Sequence, residues 1–131
     1  MPYKKDLKNW SKLKINIDSD KSRVFSFREK QIWWLAVGQN VGYEVYGKSE
    51  KFSRPVLIFK KFGSHTFLAI PVSTKEKEGI WYSSFVFQGN NQSALLSQLR
   101  MYDSKRLYNY IGELNSKDFE KIKSALKKLI F

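Results

Sequence analysis

Residues 54–74, RPVLIFKKFGSHTFLAIPVST, hold two apolar, β-rich runs on either side of a short polar turn. The runs, Pro55 to Phe62 and Thr66 to Val72, flank Gly63 and Ser64, and the pattern predicts a β-hairpin. Arg54 stands just before the first strand, and Ser73 and Thr74 stand at the end of the second. An antiparallel hairpin returns its far end to the level of its start, so a guanidinium and two hydroxyls are expected to meet at one edge. Arginine is a fixed cation that grips a phosphate through parallel hydrogen bonds, and the hydroxyls can orient the same oxygens. An ordinary strand start and an ordinary strand end use the same residues, and spacing alone leaves both open.

Outward from the hairpin, short β signals continue. Gln31 to Val37 (QIWWLAV) reads as a bulky strand that Gly38 ends, and a long polar loop follows to Ser53. A loop of that length in a compact domain is usually functional or mobile. Beyond the hairpin come a charged turn, Lys75 to Gly79, and a strand, Ile80 to Gln88. Gly89-Asn90-Asn91 reads as the next turn, with a fifth strand over Ser93 to Leu99 running into Arg100–Asp103. Ser104 to Asn109 fits one helical turn, and Tyr110 to Leu114 a return to the sheet.

The chain closes on an amphipathic helix. Asn115 is its expected N-cap, Asp118 lies in the first turn, lysines lie in the last, and Phe119, Ile122, Ala125, Leu126, Leu129 and Ile130 share a face. Residues 4–15, with Leu7, Trp10 and Leu13 at three-residue spacing, read as a short basic helix. Asn16 to Arg23 reads as a linker, and the domain boundary falls near Arg28. The expected fold is mainly β with a C-terminal helix, a small barrel or strongly bent sheet.

Formal net charge is +12, carried as +5 on residues 1–30, +4 on 31–116 and +3 on 117–131. The excess is therefore spread over the chain, which fits a polyanionic partner or an acidic protein, and also a generally basic domain. Cysteine is absent, excluding disulfides, thiolate nucleophiles and zinc–thiolate sites. No apolar run approaches the roughly 20 residues that span a membrane, and no signal-peptide core opens the chain, so a cytoplasmic protein is expected.

Several chemistries lack their residues. His65 is the only histidine, so a histidine acid–base pair is excluded, and its place in the hairpin turn suits an exposed side chain. No metal-ligand spacing, phosphate-binding glycine loop, dinucleotide fingerprint or nucleophile elbow occurs. What remains is Arg54, Ser73, Thr74, Glu44, Arg100, Asp103, Arg106 and many aromatic residues.

Taken in order, REKQIWWLAVG (28–38), VGYE (41–44), SRPVLIF (53–59), IPVSTK (70–75), SQLRMYDSKRL (97–107) and IGELNSKDFEKIKSALKKLI (111–130) resemble the MazF/PemK family of toxin endoribonucleases from bacterial toxin–antitoxin pairs. The resemblance covers Glu29 to Phe131 and leaves residues 1–28 as a basic N-terminal extension. It implies an SH3-like, plug-type antiparallel β-barrel with a C-terminal helix, usually a homodimer. It further implies metal-independent cleavage of single-stranded RNA without a cofactor, and an acidic, partly disordered cognate antitoxin. The family's essential arginine falls on Arg54, and its catalytic threonine on Ser73. Thr74 takes the next position, and Ser97 stands where some members carry an aspartate.

Within that frame a ribose 2′-OH attacks its own phosphate, leaving a 2′,3′-cyclic phosphate and a 5′-OH. Arg54 stabilises the charge, and Ser73 or Thr74 positions the phosphate. Glu44 is a candidate base, or a loop carboxylate paired with a lysine. Tyr43, Tyr46 and Phe52 stack with bases or pack the loop, with Lys48, Lys51 and Lys75 beside them as RNA-binding cations. Arg100 and Asp103 read as structural, tying the last strand to the turn before Arg106. The departures at Ser73 and Ser97 also admit a non-catalytic RNA-binding or gyrase-poisoning protein on the same fold.

Overall fold

The computed structural model describes residues 26–36 and 53–131. The basic helix over 4–15, the linker over 16–23 and all of the long loop except Ser53 lie outside the described residues. The elements are β1 (Gln31–Ala36), β2 (Ser53–Lys61), β3 (Thr66–Ser73), β4 (Tyr82–Phe87), β5 (Asn90–Leu95), β6 (Arg100–Asp103), β7 (Leu107–Glu113) and one helix, α1 (Ser116–Ile130). Single 3-10 turns at Leu96–Gln98 and Ser104–Arg106 separate β5, β6 and β7.

The hairpin forms where its residues place it. Gly63 takes φ +123°, a conformation that side-chain-bearing residues avoid, and the Phe62 amide donates to the Thr66 carbonyl at 3.0 Å across the turn. Both strands are apolar on both faces because each face builds a separate core. Leu57, Ile70 and Val72 join Ile32, Phe85 and the helix residues Phe119, Ile122 and Leu126. Val56, Ile58, Phe67 and Ala69 join Phe27, Trp33, Leu35, Tyr102 and Leu107. Phe27 is fully buried, packs on Phe67 with ring centroids 5.0 Å apart, and gives its carbonyl to Lys61 Nζ at 2.8 Å. The packed body thus includes Phe27, one residue ahead of Arg28.

All strand pairs are antiparallel, in the order β4-β5-β3-β2-β1-β7. One edge of β3 is shared in turn: Thr66 to Ala69 pair with β6, and Val72 and Ser73 pair with β5. The sheet bends there, which separates the two cores. Among the described residues β4 and β7 do not pair, so backbone hydrogen bonds leave the sheet open and do not complete a barrel. Side chains bridge the gap instead. Gln88 Nε2 donates to the Ile111 carbonyl at 3.2 Å, and the Phe87 ring lies against Gly112.

Several boundaries differ from the sequence expectation. The β4–β5 turn lies at Gln88 (φ 51°) and Gly89 (φ 78°), the two positive values of a type I′ hairpin, and Asn90 and Asn91 enter the ladder opposite Phe87 and Val86. The fifth strand therefore ends at Leu95, where the 3-10 turn breaks it. The turn before β7 is only three residues, so β7 starts at Leu107. In α1 the Asn115 side chain accepts from the Asp118 amide at 2.8 Å, as expected of an N-cap. Phe119, Ile122 and Leu126 are buried, Ala125 and Leu129 lie at the margin, and Ile130 is exposed. Each buried apolar side chain contributes about 1.5–3 kcal/mol, which attaches the helix without help from propensity.

A Cβ added at Gly112 would stand 2.7 Å from Phe87 Cζ and 3.3 Å from Gln88 Nε2, at the seam between the sheet's two ends. Gly112→Ala is expected to lower the unfolding free energy by about 1–3 kcal/mol in urea denaturation, and an unchanged midpoint would contradict the packing of this seam.

Candidate active site

The β2–β3 register runs Ile58↔Ala69, Leu57↔Ile70 and Val56↔Pro71. Continued for two residues, it sets Arg54 opposite Ser73. On the other side Arg54 pairs with Leu35 of β1, and Leu35 with Leu107 of β7. Ser73 pairs with Ser93 of β5, which pairs with Ser84 of β4. One row across the sheet therefore reads Leu107, Leu35, Arg54, Ser73, Ser93, Ser84. Neighbouring strands lie about 4.8 Å apart, and directly opposed residues project to the same face. Strand alternation puts Arg54 on the face of Val56 and Ile58, over the core that contains Tyr102.

Arg54 and Ser73 are both half-buried, whereas Thr74 and Lys75 are exposed beyond the end of β3. Only one of the two hydroxyls therefore stands in the row. Ser73 Oγ accepts from the Lys75 amide at 3.2 Å, and the fully buried Ser93 accepts from the Lys77 amide at 2.9 Å. Two serines of the row thus hold the charged turn that follows β3. Ser93 was not foreseen: a serine within a strand carries no local signal, and its amide partner is sixteen residues away.

A second cationic group sits over the same core. The guanidinium carbons of Arg100 and Arg106 lie 5.5 and 6.0 Å from the Tyr102 ring centroid, within cation–π range. Arg106 Nη1 also donates to the Ala36 carbonyl at 3.1 Å, at the same end of β1 that carries Arg54's partner Leu35. Burial holds the Arg106 pKa below its ordinary value, and the charge of Arg100 adds to this; Tyr102 and Asp103 act in the opposite sense. Asp103 caps the short turn by accepting from the Lys105 amide at 2.8 Å. Asp103 is thus a structural residue, and Arg106 is fixed between ring and carbonyl.

Ser97 is exposed in the 3-10 turn after β5, and His65 is exposed in the hairpin turn. Glu44, Tyr43, Tyr46, Lys48, Lys51 and Phe52 lie outside the described residues. Among the described residues no helix is long and apolar enough to cross a membrane.

Residues 28–130 match the model of the PemK-like, MazF-like toxins of type II toxin–antitoxin systems. The chain belongs to this family. Among solved structures, MazF from Deinococcus radiodurans is 19% identical with a TM-score of 0.65, over 81% of this chain and 97% of that one. An endoribonuclease in complex with its cognate antitoxin, from a mycobacterial species, is 14% identical with a TM-score of 0.60, over 80% of this chain and 95% of that one. A MazE–MazF complex from Deinococcus radiodurans is 16% identical with a TM-score of 0.60, over 81% and 96%. At these identities the likeness is one of fold. No curated protein matches the sequence.

Arg106→Ala strips the Ala36 carbonyl and the Tyr102 ring of a charged partner. It is expected to cost about 1–3 kcal/mol in chemical denaturation, and a loss well under 0.5 kcal/mol would contradict this role.

Proposed function

We propose that this toxin-family chain is an endoribonuclease that cuts single-stranded RNA at the Arg54–Ser73 end of the sheet. The observation that carries the proposal is the row itself: a guanidinium-bearing residue and a hydroxyl-bearing residue opposed on one face, with Arg100 and Arg106 over the same core. Arg54, Arg100 and Arg106 concentrate positive charge on this face of the sheet, and such a concentration attracts a polyanion.

In the proposed reaction the ribose 2′-oxygen forms a bond to the adjacent phosphorus and the bond to the 5′-oxygen breaks. The 2′-hydroxyl proton leaves to a base, and the departing 5′-oxygen gains a proton. The products are a 2′,3′-cyclic phosphate and a 5′-hydroxyl. The step needs no metal or cofactor: Arg54 supplies a fixed positive charge where negative charge grows, a contribution of about 3–4 kcal/mol in comparable sites. Ser73 orients a phosphate oxygen, and Thr74 and Lys75 stand just beyond it for the flanking backbone. Arginine is a poor base because it holds its proton. Glu44 is assigned that role, with Tyr43, Tyr46 and Phe52 as stacking residues and Lys48 and Lys51 as phosphate contacts.

The same proposal includes a homodimer in the cytoplasm and an acidic antitoxin that competes with RNA. It also includes an SH3-like barrel completed by side chains across the β4–β7 gap, and a toxin domain over residues 29–131 onto which Phe27, at the end of the N-terminal extension, packs.

Purified protein incubated with a long RNA in EDTA is expected to make discrete cuts. Arg54→Ala is expected to slow them at least a hundredfold, and a single deoxyribose at a cut site to abolish that cut. Intact RNA, or cutting that survives either change, overturns the proposal.

A further inference from the structure

The pairing of β7 with β1 slips twice. Trp34 lies opposite Asn109 and Leu35 opposite Leu107, so Tyr108 is an extra residue on β7. Ile32 lies opposite Gly112 and Trp33 opposite Tyr110, which makes Ile111 extra as well. Simple alternation would put Leu107 and Tyr110 on opposite faces of the sheet. The extra Tyr108 instead brings Tyr110 round to the face of Leu107, Leu35 and Arg54. The extra Ile111 then returns Gly112 to the face of Ile32 and the helix. The two slips together re-aim one side chain, and that side chain is an aromatic ring. The ring is also left open. Phe27, Trp33, Phe67 and Tyr102 of the same face are buried, whereas Tyr110 is 53% exposed. It stands against Trp33 with ring centroids 5.6 Å apart, and Trp33 Nε1 donates to Gln31 Oε1 at 2.9 Å. The tyrosine therefore leans on a fixed wall, and little rotamer freedom is left to lose when a ligand covers it. Glu113, the one carboxylate of β7, lies 4.0 Å from the Arg28 guanidinium, which offsets its charge.

We propose that Tyr110 is a base-stacking residue of the RNA site, seating a base that flanks the phosphate held at Arg54. The proposal rests on RNA cleavage at Arg54 and extends that site to a second strand. The Trp33–Tyr110 row is the neighbour of the Arg54 row, and β7 is two strands away from β2. With about 4.8 Å between strands and about 3.3 Å per residue, the Cα atoms of Arg54 and Tyr110 stand roughly 12 Å apart. Stacked nucleotides rise by about 3.4 Å, so the seated base falls within about four nucleotides of the cut. Arg106 precedes Leu107, the β7 residue of the Arg54 row, and brings a cation to the side of the site that faces Tyr110. An open ring beside cations suits a nucleotide on both counts: every base offers a π face, and its phosphate is held by charge.

The probe is a short fluorescein-labelled RNA copied from a mapped cut, with 2′-deoxyribose at that cut, and binding to the full chain is followed by anisotropy. Each flanking base is replaced in turn by an abasic residue. One position within about four nucleotides of the cut is expected to lose about tenfold in affinity when abasic. Tyr110→Ala is expected to weaken the intact probe by about the same factor and to add no further loss on the probe abasic at that position. Tyr110→Phe keeps the ring and is expected to bind as the unaltered chain does. Tyr110→Leu refills the space beside Trp33 without a π face, so it separates stacking from packing and is expected to bind as weakly as Tyr110→Ala. Losses that add at every abasic position, or full binding by Tyr110→Leu, overturn the inference and leave cleavage at Arg54 standing. A change of oligomeric state as the main effect of Tyr110→Ala also overturns it. If the unaltered chain makes no cut, or its cuts are indifferent to Arg54→Ala, the cleavage reading falls and this inference falls with it.

Discussion

The change of partner along one edge of β3, from β6 to β5, is the constraint on which the rest of the structure depends. A strand that stayed with one neighbour would give a flat sheet with one buried face. Because Thr66–Ala69 and Val72–Ser73 serve different neighbours, the sheet bends, and both faces of β2 and β3 find a core. The bend also delivers the polar row. Ser73, at the end of β3, lies between Arg54 on β2 and Ser93 on β5, where a shorter strand would have left loops in their place. The polar row in this fold is thus a by-product of how the sheet turns.

Around the row, the polar groups divide into those that hold and those that face outward. Ser93 is buried and spends its oxygen on the Lys77 amide. Arg106 is spent on the Ala36 carbonyl and the Tyr102 ring, at an electrostatic cost that burial and Arg100 impose on its cation. A half-buried arginine kept charged against desolvation is costly unless it fixes something, and here it fixes the end of β1 beside Arg54's own partner.

Much of this was legible in the residues. Two apolar, β-rich runs about a Gly-Ser turn predicted the hairpin, and Asn115 with the Phe119–Ile122–Leu126 spacing predicted the helix, because both signals are local. The Gly89-Asn90-Asn91 turn was displaced by one residue because Gln88, not a usual turn former, takes positive φ and releases both asparagines to the ladder. The open β4–β7 seam and the roles of Ser93 and Arg106 were not legible. They depend on partners 16 to 70 residues distant, which no window of sequence brings together. Tertiary register also separated Ser73 from Thr74, two hydroxyls that are equivalent in a string and differ by strand end and exposure in space.

The most direct measurement is a crystal structure of the full chain with a short RNA carrying 2′-deoxyribose at the cut site, which binds but cannot react. A phosphate is expected against the Arg54 guanidinium, with the Ser73 hydroxyl on one of its oxygens. RNA density elsewhere on the sheet, with Arg54 and Ser73 untouched, would contradict it.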